Sequence, residues 1–230
     1  MKYFLRAASG VLVPVLLLTA GCIPFTVGST ARPVPAGEAM HSMSFYTVPR
    51  SFKDLDSTRT YARVGADAET RYGIDDRSDI GFRLPSYSGL VVNYKRRLNG
   101  ATADPGPAYA VLGGAGLVNL GQHAHFELTL LASGAESAFT PYGGIRAMQV
   151  VPIERGAVHD SPTIGGFFGV RIGDQDFAFS PELGVFYDHS ALGIRKGNVL
   201  FVPSVTISRI SLRRIFGGDR AAPRPGFPHF

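Results

Sequence analysis

The sequence predicts an all-β protein, an antiparallel up-and-down β-barrel of about ten strands, within a range of roughly eight to twelve. From about residue 39 to 210, apolar and polar residues alternate, and no window sustains a helical period. The chain has 28 glycines, far above the usual share of about 7%. Charged residues make up 18%, below the roughly 25% typical of soluble domains, which indicates a sheet with little solvated surface.

Residues 1–21 are predicted to be a signal peptide. Lys2 and Arg6 give a positive start, the run over 7–20 is almost wholly apolar, and small residues follow it. The run is shorter than the roughly 20 residues that a membrane-spanning helix needs, and Pro24 follows soon after. The pattern therefore indicates export rather than a helical membrane anchor.

The only cysteine, Cys22, follows the signal segment in the motif LTAGC at 18–22. This motif resembles the lipobox of bacterial lipoproteins. The resemblance implies cleavage before Cys22, lipidation of its sulfur and its new amino group, and stable attachment to a bacterial membrane through several acyl chains. The alternative is an ordinary cleaved signal peptide with an incidental cysteine. No cysteine remains for a disulfide in either case.

The mature chain divides into three predicted parts. Residues 22–37 are rich in proline, glycine and small residues and are predicted to form a flexible tether. The barrel domain covers 38–212, and a disordered basic, proline-rich tail covers 213–230. Strands are expected near residues 39–48, 58–73, 78–84, 88–98, 107–119, 122–132, 138–150, 162–173, 176–188 and 198–209.

The stretch 122–132 shows the alternation most clearly. Phe126, Leu128 and their apolar neighbours share one face, and His125, Glu127 and their polar neighbours share the other. Alternation alone does not decide which face points outward. In a lipocalin-like soluble barrel the apolar face encloses a ligand, whereas in a membrane barrel it contacts lipid.

Strand length and loop length favour the membrane barrel. Most predicted strands exceed the roughly five or six residues usual in globular sheets and suit the roughly 9–11 needed to cross a bilayer. The long connections at 49–57, 151–161 and 189–197 fall on one side, whereas the segment 99–107 would be a long loop on the other. Over this region the chain resembles small bacterial outer-membrane β-barrel proteins, in which one side carries short turns.

The polar faces are expected to form an ion-paired network in the lumen, because both signs of charge are nearly balanced there and arginine suits buried ion pairs. The predicted network comprises Arg63, Asp67, Glu69, Arg71, Lys95, Arg97, His123, His125, Glu127, Arg146, Arg171, Glu182 and Asp188. Arg83 and Asp79 fall on the same polar faces. Pro203, inside the last predicted strand, departs from the pattern because it removes a backbone donor.

No catalytic, cofactor-binding or metal-ligating residues are predicted. His123, His125 and Glu127 recur about 6.6 Å apart along a strand, too wide for one metal with ligands at about 2.1 Å, so polar packing is expected. The stretches YDHS at 187–190 and HDS at 159–161 place acid, histidine and serine in sequence, but neighbours on an extended chain point in opposite directions. A lipid hydrolase that depends on His125 or His189 stays a minor alternative.

The predicted function is therefore a lipid-anchored outer-membrane barrel with a structural or surface-interaction role, or with a narrow pore. Its partner is membrane lipid. The alternative is a membrane-tethered periplasmic lipocalin-like barrel that binds a small apolar molecule. Nucleic acid is not expected as a partner, because the net charge of +5 comes from dispersed arginines in an exported chain.

Overall fold

The computed structural model describes residues 24–53, 60–153, 162–174, 177–188 and 198–211. The described strands form one closed antiparallel barrel of ten strands, which confirms the predicted fold class. They are β1 Ala39–Lys53, β2 Thr60–Asp75, β3 Ser78–Leu84, β4 Leu90–Arg97, β5 Ala108–Val118, β6 His123–Ser133, β7 Phe139–Pro152, β8 Thr163–Gly173, β9 Phe177–Asp188 and β10 Asn198–Ser211.

Each strand pairs with its neighbour in sequence, and β1 pairs with β10 to close the barrel. The pairing of Ala39 with Ser211 places the first residue of β1 beside the last residue of β10. We call this end of the barrel the terminal end, and the opposite end the loop end. The connections 98–107 and 134–138 lie at the terminal end, and a short 3-10 turn at Pro85–Tyr87 lies at the loop end.

Pro203 does not interrupt the last strand. It pairs with Leu183 of β9, and the register continues on both sides, from Asn198 opposite Asp188 to Arg209 opposite Phe177. The barrel therefore closes through β10 despite one missing backbone donor.

The apolar strand faces point outward and the ionic faces point inward. Phe126, Phe168 and Phe179 are 50%, 61% and 40% exposed on the outer wall. Arg71 is fully buried and Lys95 is 1% exposed, although each carries a charge. This orientation is the opposite of a lipocalin-like barrel, which turns its apolar side towards the ligand.

Residues 24–35 enter the barrel, where a flexible tether was predicted. Phe25, Thr26, Val27 and Ala31 are at most 4% exposed. We call residues 24–35 the plug. The tether prediction was wrong over these residues because Phe25 packs into an apolar cluster of the wall, and because charged side chains of the wall satisfy the backbone groups of the plug.

The plug leaves the barrel at the terminal end. Ala36 forms a parallel bridge with Gly73, and the Gly37 N–H donates to the Gly73 carbonyl at 2.9 Å. A Cβ on Gly73 would lie 2.5 Å from the carbonyl oxygen of Val34, so glycine permits this close crossing.

Several predictions lie outside the described residues. They concern the signal peptide over 1–21, Cys22, the stretch HDS at 159–161, His189 and the tail over 213–230. Within the described part of the chain, no helix is both long and apolar enough to span a bilayer.

Candidate functional site

Arg71 organises one ionic cluster on the inner wall. Its guanidinium donates to Asp79 Oδ1 at 2.9 Å from Nε, to Glu69 Oε1 at 2.7 Å and to Asn93 Oδ1 at 2.6 Å. Gly81 faces the lumen at this level, where a Cβ would lie 2.8 Å from a guanidinium nitrogen of Arg71. The glycine therefore leaves room for the arginine to lie across the sheet.

A second ionic cluster surrounds Glu127 of β6. Its carboxylate pairs with the Arg146 guanidinium, and its Oε2 lies 3.2 Å from His125 Nε2. His125 and Glu127 are thus side-by-side members of a buried polar network on one strand face. Among the described residues, no group of three or more His, Cys, Asp or Glu side chains could hold a metal ion.

Both ionic clusters converge on one carbonyl of the plug. The Thr26 oxygen accepts hydrogen bonds from Arg83 at 3.0 Å and from Arg146 at 2.7 Å. Arg83 also donates to Glu69 at 2.9 Å, which connects it to the cluster of Arg71. Because a strand-like segment away from water must satisfy its own backbone groups, these arginines compensate for the missing sheet partner.

Glu182 of β9 binds the next residues of the plug. Its two carboxylate oxygens accept the backbone N–H groups of Val27 at 3.0 Å and Gly28 at 2.9 Å. The Tyr142 hydroxyl donates to the same carboxylate at 3.0 Å. Gly28 has φ +59, and a Cβ there would overlap the Thr206 side chain, so only glycine fits without strain.

Charged side chains also hold the terminal end of the plug. Lys95 donates to the carbonyls of Thr30 and Arg32 at 3.2 and 2.8 Å, and Asp79 accepts the Val34 N–H at 2.8 Å. The plug has no sheet partner that could bind these carbonyl and N–H groups. The side chains of the wall supply the hydrogen bonds instead.

The guanidinium of Arg32 fastens the plug to the loops at the terminal end. It donates to the carbonyls of Pro105 at 2.7 Å and Gly134 at 3.2 Å, and its Nε lies 3.8 Å from Glu136. The long connection over 98–107 thus has a structural use: it closes around the plug.

The Phe25 side chain lies inside the lumen, near the loop end of the barrel. Its ring packs 5.5 Å from Phe186 and 6.5 Å from Tyr46, measured between ring centroids. The surrounding buried cluster includes Val91 and Val118, which lie at the loop ends of β4 and β5. The plug therefore runs through the lumen with its amino end towards the loop end and its carboxyl end at the terminal end.

The lumen is electrically balanced among the described buried residues. Five are basic, namely Arg71, Arg83, Lys95, Arg97 and Arg146, and five are acidic, namely Asp67, Glu69, Asp79, Glu127 and Glu182. A cavity of about 70 Å³ remains between the plug and the wall at the terminal end, and Arg32, Lys95, Glu136 and Arg171 are among its lining residues. A cavity of this size can hold water molecules.

The structure distributes the predicted network residues unequally. It buries nine inside the barrel, namely Asp67, Glu69, Arg71, Lys95, Arg97, His125, Glu127, Arg146 and Glu182. His123 is half-buried at the loop end beside Asn119, and Arg171 is half-buried at the terminal end. The side chains of Arg63 and Asp188 lie outside the description.

Sequence reasoning missed the plug as the partner of this network. Its residues show no alternation, because they have no sheet neighbours, and proline and glycine gave them the composition of a linker. One feature of the sequence could have indicated the plug. Many ionic side chains fall on the inward faces, and buried ionic groups need hydrogen-bond partners in addition to one another.

No protein-family model and no curated protein sequence matches this chain. Solved structures with a similar strand arrangement include an outer-membrane channel from Pseudomonas putida F1, at 10% identity and a TM-score of 0.48, with 81% of this chain and 100% of that chain covered. The outer membrane protein OprG from Pseudomonas aeruginosa matches at 15% identity and a TM-score of 0.31, covering 79% and 97%. Neisserial surface protein A matches at 14% identity and a TM-score of 0.35, with 76% of this chain and 97% of that chain covered.

Proposed function

We propose that this protein is a lipid-anchored outer-membrane β-barrel whose lumen is closed by its own plug, and that it has a structural or surface-interaction role. The observation that carries the proposal is the orientation of the two strand faces. Large apolar side chains point outward from the strands, whereas the ionic side chains are buried in the lumen. An outer wall of that kind is costly in water and suits the hydrocarbon of a bilayer.

The position of Arg96 supports this placement. It is an exposed arginine on the outer wall, and it lies next to the last residue of β4, at the terminal end. A charge facing lipid costs about 2–4 kcal/mol at the midplane and close to zero near an interface. At the end of the strand, Arg96 can reach the headgroup region, where its hydrogen bond to the Tyr94 hydroxyl at 3.4 Å also lies.

The plug favours a closed barrel over an open pore. Polar contacts bind it from Thr26 to Val34, so it is fixed along most of its length. A narrow pore is the second candidate, and the cavity at the terminal end favours it: displacement of the plug would extend that cavity into the lumen.

Anchoring through Cys22 belongs to the same proposal. The motif LTAGC supports it, and mass spectrometry of the purified mature chain would test it. A mass that includes a diacylglyceryl group and an amide-linked acyl chain on Cys22 is expected. An unmodified amino terminus would contradict the lipid anchor and leave the membrane-spanning barrel untouched.

Extraction tests the membrane-spanning barrel without relying on the lipid. The test protein carries Cys22→Ala and is exported behind a cleavable signal peptide without a lipobox in place of residues 1–21, so that neither lipid nor an uncleaved apolar leader holds it. It is expected to stay in the outer-membrane fraction through high-salt and alkaline washes and to require detergent. A lipocalin-like barrel tethered only by lipid would be released into buffer by the same changes. Release in monomeric form would therefore refute the proposal.

A further inference from the structure

The direction in which the plug runs through the barrel determines the side of the membrane on which the mature chain begins. The plug contacts the terminal end through Arg32 and Val34, and it reaches the apolar cluster near the loop end through Phe25. The chain before Phe25 therefore continues from a point near the loop end. It does not start at the end where β1 begins.

We infer that the barrel is threaded by its own amino-terminal segment, so that Cys22 and any lipid it carries lie at the loop end, across the membrane from the termini of β1 and β10. This inference rests on the proposed membrane-spanning barrel. Beyond that proposal, it assigns the side of the membrane on which the amino terminus of the mature chain lies.

Chain length makes the alternative incompatible with the plug. Phe25 lies three positions after Cys22, and three residues span at most about 10 Å when fully extended. The hydrocarbon layer is about 30 Å thick. A Cys22 anchored at the terminal face would have to pull Phe25 out of its contacts with Phe186 and Tyr46.

Side chains of the wall surround the plug. The ionic clusters bind the Thr26 carbonyl, and the apolar clusters of the wall include Phe25, Val27 and Ala31. A chain that entered beside Phe25 and turned back would need room for a second extended strand. The amino terminus must then leave at the loop end.

Labelling of introduced cysteines in cells tests the threading. The test variant carries the five-residue insertion Gly-Ser-Cys-Ser-Gly between Ile23 and Pro24 of the full chain. Five extended residues span about 17 Å, less than the about 30 Å of hydrocarbon, so the insertion cannot carry its cysteine to the wrong face. The reagent is a membrane-impermeant maleimide, applied to intact and to permeabilised cells.

Two single substitutions mark the two faces. Gln122→Cys lies in an exposed turn at the loop end, and Ala103→Cys lies in the exposed connection at the terminal end. The wild-type chain, whose only cysteine is Cys22, measures the background. We expect the insertion and Gln122→Cys to be labelled equally in intact and permeabilised cells, and Ala103→Cys to gain at least tenfold on permeabilisation.

Each other outcome contradicts a distinct claim. If the insertion gains label on permeabilisation as Ala103→Cys does, while Gln122→Cys is labelled in intact cells, the threading is wrong and the membrane-spanning barrel stands. An insertion that stays unlabelled in permeabilised cells also refutes the threading, because its cysteine does not emerge. If Gln122→Cys and Ala103→Cys behave alike, the barrel does not cross the membrane and both proposals fail.

Discussion

The Glu182 carboxylate accepts a hydrogen bond from the Val27 N–H at 3.0 Å, which joins the wall to the plug across 155 positions of sequence. Its other oxygen accepts the Gly28 N–H at 2.9 Å, and both contacts are buried. Hydrogen bonds to a charged group contribute roughly 1.5–3 kcal/mol each. The pair therefore makes Glu182 a principal attachment point of the plug.

Glu182→Gln is expected to loosen the plug and leave the barrel intact. The neutral amide has one acceptor oxygen for two N–H donors, so docking should weaken by roughly 2 kcal/mol. Planar-bilayer recordings of the purified full chain should then show conductive events that the wild type lacks. Asp75→Asn, at an exposed strand end, is the matched control. A Glu182→Gln protein as silent as Asp75→Asn would show that this carboxylate does not hold the plug.

Gly28→Ala is expected to displace the plug, because the new Cβ overlaps the Thr206 side chain of β10. Gly121→Ala is the control, because it introduces the backbone strain of a positive φ without a steric clash. Gly121 also has a positive φ, +86 against +59 at Gly28, but a Cβ there meets nothing within 4 Å. Both variants carry a strain of order 1 kcal/mol. Only Gly28→Ala should raise permeability in a liposome-swelling assay, and equal behaviour of the two variants would contradict the clash.

The division of each strand into an apolar and an ionic face could be predicted from sequence because strand side chains alternate strictly. Strand length and the balance of charges indicated which of the two faces points outward. Phe126 and Glu127 lie on opposite faces in the structure, as the pattern at 122–132 indicated. Nothing in that pattern reports what fills the lumen. Thr26 and Val27 contribute backbone groups to the network, and a backbone carbonyl has no signature in the sequence. The burial of Phe25 likewise depends on a cluster assembled from strands far apart in the chain.

Arg71→Met is expected to destabilise the barrel strongly. The arginine bonds Asp79, Glu69 and Asn93 with no exposed surface. Its removal takes one of two cationic partners from each buried carboxylate, since Lys95 remains beside Asp79 and Arg83 beside Glu69. Breaking a buried pair in this way costs about 3–5 kcal/mol. Arg77→Met, at an exposed turn, should change stability by less than about 0.5 kcal/mol. Urea unfolding of both variants in lipid vesicles measures the difference, and similar midpoints would show that the network is not stabilising.

Leu128→Arg tests what the outer wall contacts. Leu128 lies at the middle of β6 and is 53% exposed, whereas Leu117 lies one residue from the loop end of β5 and is 48% exposed. In a bilayer the central arginine costs about 2–4 kcal/mol, and the one near the interface costs about 0–1 kcal/mol. In water, two equally exposed leucines would respond alike. Unfolding of Leu128→Arg and Leu117→Arg in phospholipid vesicles should therefore separate the two variants by about 2 kcal/mol or more, and equal stabilities would mean that the wall does not face hydrocarbon.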